Sequence, residues 1–542
     1  MISSSLLFIL LPLPVAALFL LSKALKVGSR PAGYPPGPPT VPLLGNLHLM
    51  PTSKPHLQLQ KWAKEYGPIY SLILGTKTMI VLSSDTAVKD LLDKRSGNYS
   101  DRPDMFIAQK IASGNLRMVV MRYGENWRMI HRTIHSFLNI KAAVSYVPYQ
   151  ELESTFLLGD LLDTPNDLLH HVRRFTHSLS TQMIYGYRCV NKNDPNLRQL
   201  FEGFEKWGEL AGSSSAQLVD LYPFLQKLPD FLAPNVNYAK GLFTVERKSY
   251  VGHWMKSKQA LDSGKSLPCF CNDIYQAQTR EGFDDDLAGY ICGSLLEAGS
   301  DTTAATLYAF VQATLVWPEV QRKAQEEIDR VVGLDRLPTM DDYESLPYIR
   351  WCVKESLRWM PTAILGVPHA ALREDKYMGY TIPQGATVIN NVWAIHMDPD
   401  RSDEPRVFKP ERFIGDNTTL FQSAIGDTKK RDNFVFGAGR RMCQGIHIAE
   451  RSLFLGISRL MWSFNFFPIK DFKYDIEDLV GGLTVQPNEY PAHVEPRSMD
   501  KVKIIRESVA ECEKLLDPHT LQWNSVPAGM AFSTWMPDNT AT

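Results

Sequence analysis

The chain has no excess charge of either sign: 58 Lys and Arg stand against 59 Asp and Glu in 542 residues, a formal charge of −1. A nucleic-acid groove or a polybasic membrane-surface protein needs a marked basic surplus, so both are excluded. Cysteine is scarce as well. Seven, at positions 189, 269, 271, 292, 352, 443 and 512, are too few and too scattered for a disulfide framework. The odd number leaves at least one free thiol, which suits a reducing compartment. Cys269 and Cys271 lack a second ligand pair and read as free thiols rather than zinc ligands. The 34 glycines and 35 prolines follow no fibrous period, and a Gly-x-Gly-x-x-Gly nicotinamide fingerprint is missing. What is present, 44% hydrophobic and 22% charged residues, is a globular composition with material for a large core.

Residues 1–22 carry no charged side chain, and positions 6–21 are apolar apart from Pro12 and Pro14. As a helix, such a stretch would rise about 33 Å, enough to cross a hydrocarbon layer. Lys23, Lys26 and Arg30 follow at once and would hold the downstream chain on the cytosolic side. A cleaved signal peptide fits less well, because a basic leader and a small-residue cleavage site are both missing. The spacing predicts a single-pass anchor over 1–22 and a basic, proline-rich linker over 23–45 acting as an extended strut. A globular body over 46–516 and a loosely held tail over 517–542 follow. The sequons Asn98-Tyr-Ser and Asn417-Thr-Thr should then stay unmodified.

The body reads as mainly α with a smaller β region, an α+β chain. The 3.6-residue period is longest over 287–317, where Pro318 closes it and opens a second, charged helix over 318–332. Strand-like runs lie at 69–74, 78–82, 380–382, 387–390 and 483–485.

The most informative segment is Asn433-Phe-Val-Phe-Gly-Ala-Gly-Arg-Arg-Met-Cys-Gln-Gly445. A cysteine that binds metal must be a thiolate, favoured by positive charge, amide donors and little water. Gly437, Gly439 and Gly445 let the backbone wrap Cys443, Arg440 and Arg441 add charge, and Phe436 shields the sulfur. An apolar helix from Ile446 would point its N-terminus at the thiolate. A structural cysteine in a glycine turn would explain neither the arginines nor the crowd of glycines.

The pattern Phe436-x-x-Gly439-x-Arg441-x-Cys443-x-Gly445 resembles the haem-binding signature of the cytochrome P450 superfamily, whose cysteine is the axial iron ligand. Further segments match in order. Ala298-Gly-Ser-Asp-Thr-Thr303 resembles the oxygen-activation motif. There the Thr302 hydroxyl can bond the Ala298 carbonyl and loosen the helix, and Asp301 supplies an acid; a plain helix bend is the alternative. Glu355 and Arg358 share a helix face. With Arg412 in Pro-Glu-Arg-Phe they resemble the family's buried structural network, rather than a weak surface pair. Trp127 matches a propionate contact. The arginine expected beyond it is His131, so either His131 donates or Arg132 or Arg128 reaches in. His369, in Gly-Val-Pro-His, stands where another propionate donor is common. Residues 391–399 and Gly482-Leu-Thr484 complete the match.

The resemblance implies the cytochrome P450 fold behind an N-terminal transmembrane helix, with haem b held by Cys443. It further implies O2 as co-substrate and electrons from NADPH through a reductase, since the chain has no nicotinamide fingerprint. Metal ligation falls to Cys443, and cofactor contacts to Trp127, His131, Arg132, His369, Phe436, Gly439, Arg441 and Gly445. Asp301 and Thr302 are the catalytic pair. Pocket walls are expected from residues 105–120, Ala298, Ala363, Val367 and Leu483 within 479–484, with a lid near 224–231. These are apolar and imply a hydrophobic small-molecule substrate, hydroxylated or oxidatively coupled. The anchor and lid resemble those of fungal secondary-metabolite oxidases at the endoplasmic reticulum, expected to act as a monomer. Arg128, Arg132, Lys429, Lys430, Arg431 and Arg440 are candidates for a reductase-docking face. The competing readings are a haem-thiolate isomerase or dehydratase needing no reductase, and a non-catalytic haem sensor.

Overall fold

A computed structural model describes residues 25–264, 267–428, 430–482 and 484–527. The expected anchor over 1–22, Lys429, Leu483 and the tail beyond 527 lie outside the described residues. Among the described residues, no helix is long and apolar enough to cross a membrane.

Helices dominate. In chain order the ones that build the site are α1 (Pro55–Tyr66), α2 (Glu125–Leu138), α3 (Val147–Asp163), α4 (Leu168–Tyr185) and α5 (Pro195–Gly212). Then come α6 (Ser214–Leu221), α7 (Pro234–Asp262), α8 (Phe270–Glu281), α9 (Asp285–Val316), α10 (Pro318–Val331), α11 (Pro347–Trp359), α12 (Ile446–Ser463) and α13 (Met499–Glu513). The central α9 is 32 residues long, about 48 Å at 1.5 Å per residue. Its start is set by Asp284, whose carboxylate accepts the Leu287 N–H at 2.8 Å, with Asp285 and Asp286 favoured by the helix dipole. Its end is set by Pro318, which turns Trp317 out of helical geometry. Its residues are buried nearly all round because other helices cover every side.

The main sheet runs β1–β2–β6–β3: β1 (Ile69–Leu74), β2 (Lys77–Leu82), β3 (His369–Ala370) and β6 (Thr387–Asn390). β1 and β2 form a hairpin, and β6 joins β2 in parallel and β3 antiparallel. Between β3 and β6 lies the hairpin β4 (Asp375–Tyr377) and β5 (Tyr380–Ile382). Two further hairpin-like pairs are β7 (Phe464–Phe467) with β10 (His493–Pro496), and β8 (Leu479–Val480) with β9 (Gln486–Pro487). Of the strand expected over 483–485, the described residues Thr484 and Val485 lie outside any strand, just ahead of β9. The backbone there is used elsewhere, the Val485 N–H going to the Thr362 carbonyl at 2.8 Å.

Two expectations at the ends of the body are corrected. The proline-rich linker is no free strut. Its prolines bring carbonyls without N–H groups, and those carbonyls find donors on the body: Arg30 bonds the carbonyls of Gly37 at 3.0 Å and Pro38 at 2.8 Å and the Ser71 hydroxyl at 3.0 Å. Asn46 bonds the Pro38 and Pro39 carbonyls at 3.0 and 2.9 Å. The run is thereby laid along β1, whose Ser71 N–H reaches the Pro36 carbonyl at 2.7 Å.

The described part of the tail, residues 517–527, is likewise fastened down. Trp523 is 8% exposed; its indole N–H donates to Gln182 Oε1 of α4 at 2.6 Å and its ring packs 5.4 Å from Tyr149 of α3. Arg188 bonds the Leu521 carbonyl at 2.9 Å. A strap that inserts one side chain shows no sequence period, which hides it from pattern reading. Trp523→Ala should cost about 3 kcal/mol of stability, read as a lower urea midpoint at unchanged slope.

Candidate haem site

The Cys443 loop is built around two glycines in the left-handed region, one of which no side chain could replace. Gly437 has φ +75° and Gly439 φ +58°, and a Cβ on Gly439 would lie 2.0 Å from the Leu92 carbonyl oxygen. The Gly439 N–H donates to Asp93 Oδ1 at 2.7 Å. Arg431 closes the loop from within, donating to the carbonyls of Asn433 at 3.0 Å and Gly437 at 2.6 Å and to Asp93 at 3.1 Å. It is buried, and so it leaves the docking face on which its charged run had placed it. The Cys443 N–H reaches back to the Phe436 carbonyl at 2.8 Å, and Gly445 begins α12. Cys443 is deep enough that burial pushes its thiol above the ordinary range, opposed by the Gly445 amide. Yet it is the one exposed cysteine among the described residues, Cys512 being half-buried and the other five buried. Both hold if the sulfur faces an interior space, and a coordinating metal deprotonates a thiol so placed.

Along α9, Ala298 and Gly299 are exposed in mid-helix while Leu296, Glu297 and Ser300 are buried. Ala298 thus leaves one stretch of an otherwise covered helix open, while Gly299 admits Ser180 of α4, whose Oγ would lie 2.6 Å from a Cβ there. Thr302 donates to the Ala298 carbonyl at 2.9 Å, as the motif suggested. Behind it, Thr176 of α4 donates to the Ser300 carbonyl at 2.6 Å. The Asp301 carboxyl is turned to the Thr484 hydroxyl, which donates to it, and burial raises its pKa.

A third cluster is cationic. Arg441 lies over the Trp127 indole at 4.2 Å and donates to the Ser100 and Met121 carbonyls at 2.8 and 2.7 Å. Burial holds it down to about 10. Beside it is Arg102, which the sequence reading missed. Its guanidinium is buried, held by the carbonyls of Val119, Val367 and Pro368 at 2.9, 2.8 and 2.7 Å. Burial first and Arg441 second push it well below its ordinary value. His369 is buried with them and lowered to about 3, by burial and then by Arg102. Its Nδ1 faces the Tyr99 carbonyl at 2.7 Å, so the neutral ring donates there and leaves Nε2 an acceptor. His131 stays half-buried against Trp127, ring centres 4.7 Å apart. Arg132 is exposed and Arg128 lies over Tyr123 at 5.6 Å. A buried guanidinium, Arg102, and a half-buried one, Arg441 on Trp127, call for an acidic ligand. With the exposed thiol of Cys443 and the open stretch of α9 at Ala298, this donor set fits haem: a sulfur for iron and cations for carboxylates.

Of the pocket residues, Ala363 and Val367 sit half-buried in the loop between α11 and β3. Val367 packs on an apolar cluster of Ile107, Ala108, Val120, Trp207 and Val236. The roof is locked by Arg117, wholly buried on the Trp207 ring at 4.3 Å, which pairs with Glu246 of α7 and Glu297 of α9. Burial pushes Glu246 up to about 7 against the pull of Arg117. The segment expected as a lid protrudes, with Phe224 68% and Phe231 80% exposed.

The structural triad is assembled as expected. Arg358 holds Glu355 through two bonds of 2.6 and 2.7 Å, Arg412 adds one of 3.1 Å and the Lys409 N–H one of 2.8 Å. Glu355→Ala, which strands two arginines, should cost about 3–5 kcal/mol, measured by denaturant unfolding. Gly439→Ala should leave the chain folded by circular dichroism but abolish haem incorporation, measured as haem per chain.

A sequence model of the family described as Cytochrome P450 matches residues 35–493. The chain is 50% identical over 519 residues to the cytochrome P450 monooxygenase virE of Hypocrea virens, covering 94% of each chain. It is 48% identical over 528 residues to the cytochrome P450 monooxygenase fogE of Aspergillus ruber, covering 96% of this chain and 97% of the other. Against the cytochrome P450 monooxygenase fsoB of Humicola fuscoatra the identity is 48% over 512 residues, 94% and 95% of the two chains. With this site and these relatives, the chain belongs to the cytochrome P450 family and is an enzyme of it.

Proposed function

We propose that the chain is a haem-thiolate monooxygenase that takes NADPH-derived electrons from a reductase and oxidises a hydrophobic small molecule in a secondary-metabolite pathway. The observation that carries this reading is the inward-facing Cys443 in a chain that also keeps Asp301 and Thr302. Haem b, when bound, supplies the reduction of O2 and the oxidising power. Cys443 would hold its iron as thiolate, and Arg102, Arg441 and Trp127 its carboxylate side. His369 serves them as a neutral packing partner rather than a charge. Thr302 carries a hydroxyl on the open stretch of α9, whose oxygen can accept a hydrogen bond while its proton goes to the Ala298 carbonyl, and Asp301 beside it is an acid whose pKa burial raises.

The apolar cluster around Val367 supports a hydrophobic substrate, and hydroxylation and oxidative coupling make the same demands on these side chains. An isomerase or dehydratase would need neither the acid nor the hydroxyl, and the presence of both favours oxygen activation. The names of the relatives, monooxygenases from fungi, support the same class.

Membrane attachment is supported from a second direction. Phe224, Leu228, Phe231 and Leu232 are exposed together with Leu43 and Leu44, and the two segments adjoin, the Tyr222 hydroxyl donating to the Leu43 carbonyl at 2.9 Å. An apolar patch next to Val27, whose carbonyl accepts the Leu43 N–H at 2.7 Å, suits burial in a headgroup layer, in line with a single-pass endoplasmic reticulum protein, monomeric, with its body in the cytosol. Arg128, Arg132, Lys430 and Arg440 are exposed and suit an acidic reductase.

The deciding measurement is the carbon-monoxide difference spectrum of the reduced protein beside Cys443→Ala. A Soret band at the thiolate position in the parent and its loss in the variant are expected. An imidazole-type band in both would overturn the reading. Product formation that persists without reductase and NADPH would favour the isomerase class.

A further inference from the structure

We propose that Thr484 is a positioning residue for the acid of the long helix: its hydroxyl ties the Asp301 carboxyl to the segment just ahead of β9, so that the segment bordering the substrate space sets where the acid holds its proton. The inference rests on the proton-carrying role proposed for Asp301.

The geometry singles out this contact. Asp301 projects from α9 into a region bordered by Arg173 of α4, Glu205 of α5 and Glu297 one helical turn back on α9 itself, and these are the charged groups that act on it. Arg173 does so at a distance. Its guanidinium lies over the Phe201 ring at 4.7 Å, and its buried Nε has no hydrogen-bond partner. The hydroxyl that bonds the carboxyl is Thr484, donating to Oδ2.

That assignment has a chemical consequence. Thr484 keeps its own proton, and Oδ2 is engaged as acceptor, so the transferable proton of the acid resides on Oδ1. When Asp301 gives up that proton, the resulting carboxylate keeps the Thr484 bond, now charge-assisted and stronger. Reprotonation from solvent returns the proton to Oδ1, and nothing else is consumed.

The segment that carries Thr484 is held on one side. On its β9 side Val485 is buried and its N–H is pinned to the Thr362 carbonyl at 2.8 Å, which continues into the loop carrying Ala363 and Val367. On its β8 side are Gly481 and Gly482, both exposed, and Gly481 has no atom near a notional Cβ. One end is anchored to the loop carrying Ala363 and Val367 and the other is two exposed glycines without side chains to brace it, so the Thr484 donor is fixed from the β9 side.

The test titrates Asp301 in the full-length holoenzyme. Infrared difference spectra across pH follow the buried carboxylic C=O stretch, assigned as the band lost in Asp301→Asn. A donor to the carboxylate lowers its pKa, so removing the hydroxyl raises it. In Thr484→Val the midpoint should move up by about one pH unit, and Thr484→Ser should restore it. An unmoved midpoint in Thr484→Val, or a midpoint that Thr484→Ser fails to bring back, overturns the tether. The same preparations separate this from the functional reading: if Asp301→Asn leaves product formed per NADPH unchanged while the carbon-monoxide band stays thiolate-type, the proton role of Asp301 falls. The infrared shift still decides on Thr484.

Discussion

A carboxylate taken wholly out of water has to be met by donors on both oxygens, and Glu355 is the place where this constraint organises the molecule. The effective penalty for burying an ion is several kcal/mol, and Arg358, Arg412 and the Lys409 amide together offset it. From there the order propagates without a break. Arg358 also donates to the carbonyls of His396 at 3.2 Å and Pro405 at 2.8 Å, and its own carbonyl faces His396 Nδ1 at 3.0 Å. His396 Nε2 takes the Phe434 N–H at 2.9 Å. A ring that donates at Nδ1 and accepts at Nε2 is a single neutral tautomer, and burial followed by Arg358 keeps it so, with the pKa lowered to about 3. Phe434 opens the loop that ends at Cys443. The thiol is thus placed by a chain of hydrogen bonds that starts from a charge on α11.

The cationic cluster at Trp127 obeys the opposite rule. Its guanidiniums, buried at Arg102 and half-buried at Arg441, are held by carbonyls, which meet their hydrogen-bonding needs but not their charge. A site made this way selects an anion by electrostatics while the protein alone fixes the geometry of the donors. Arg441 and Arg102 come from segments more than three hundred positions apart, and both bond carbonyls of the stretch before α2.

Much of this was legible in the sequence, and the reasons differ by element. The span of α9 could be read because its ends carry local signals, Asp284 at one and Pro318 at the other. Glu355, Arg358 and Arg412 could be read because two share a helix face and the third sits in a recognisable tetrapeptide. Arg102 could not, because a guanidinium that bonds only carbonyls, one of them 265 positions away, leaves no spacing in the chain. Its one signal was the run Tyr99-Ser-Asp-Arg-Pro just ahead of the pocket segment. Arg431 misled for the reverse reason: it stands in a charged run that looks solvated, whereas its carbonyl partners lie within the loop it closes. Thr484 sat in a stretch that looked like a strand, and its role depends on which side chain α9 presents to it.

The strap over 517–527 ties a late segment of the described residues to much earlier ones. Trp523 meets Gln182 across 341 positions. Gln182 belongs to a buried set in which Glu153 also gathers Arg174, Ser178 and Arg188. On a ribosome, α3 and α4 emerge long before the residue that covers them. Until then Gln182 Oε1 is without its indole donor and the Tyr149 ring without its cover, so this face of the molecule is completed only after 341 further positions have been made. Order of synthesis, and not only sequence, then dictates when the body reaches its full cooperativity.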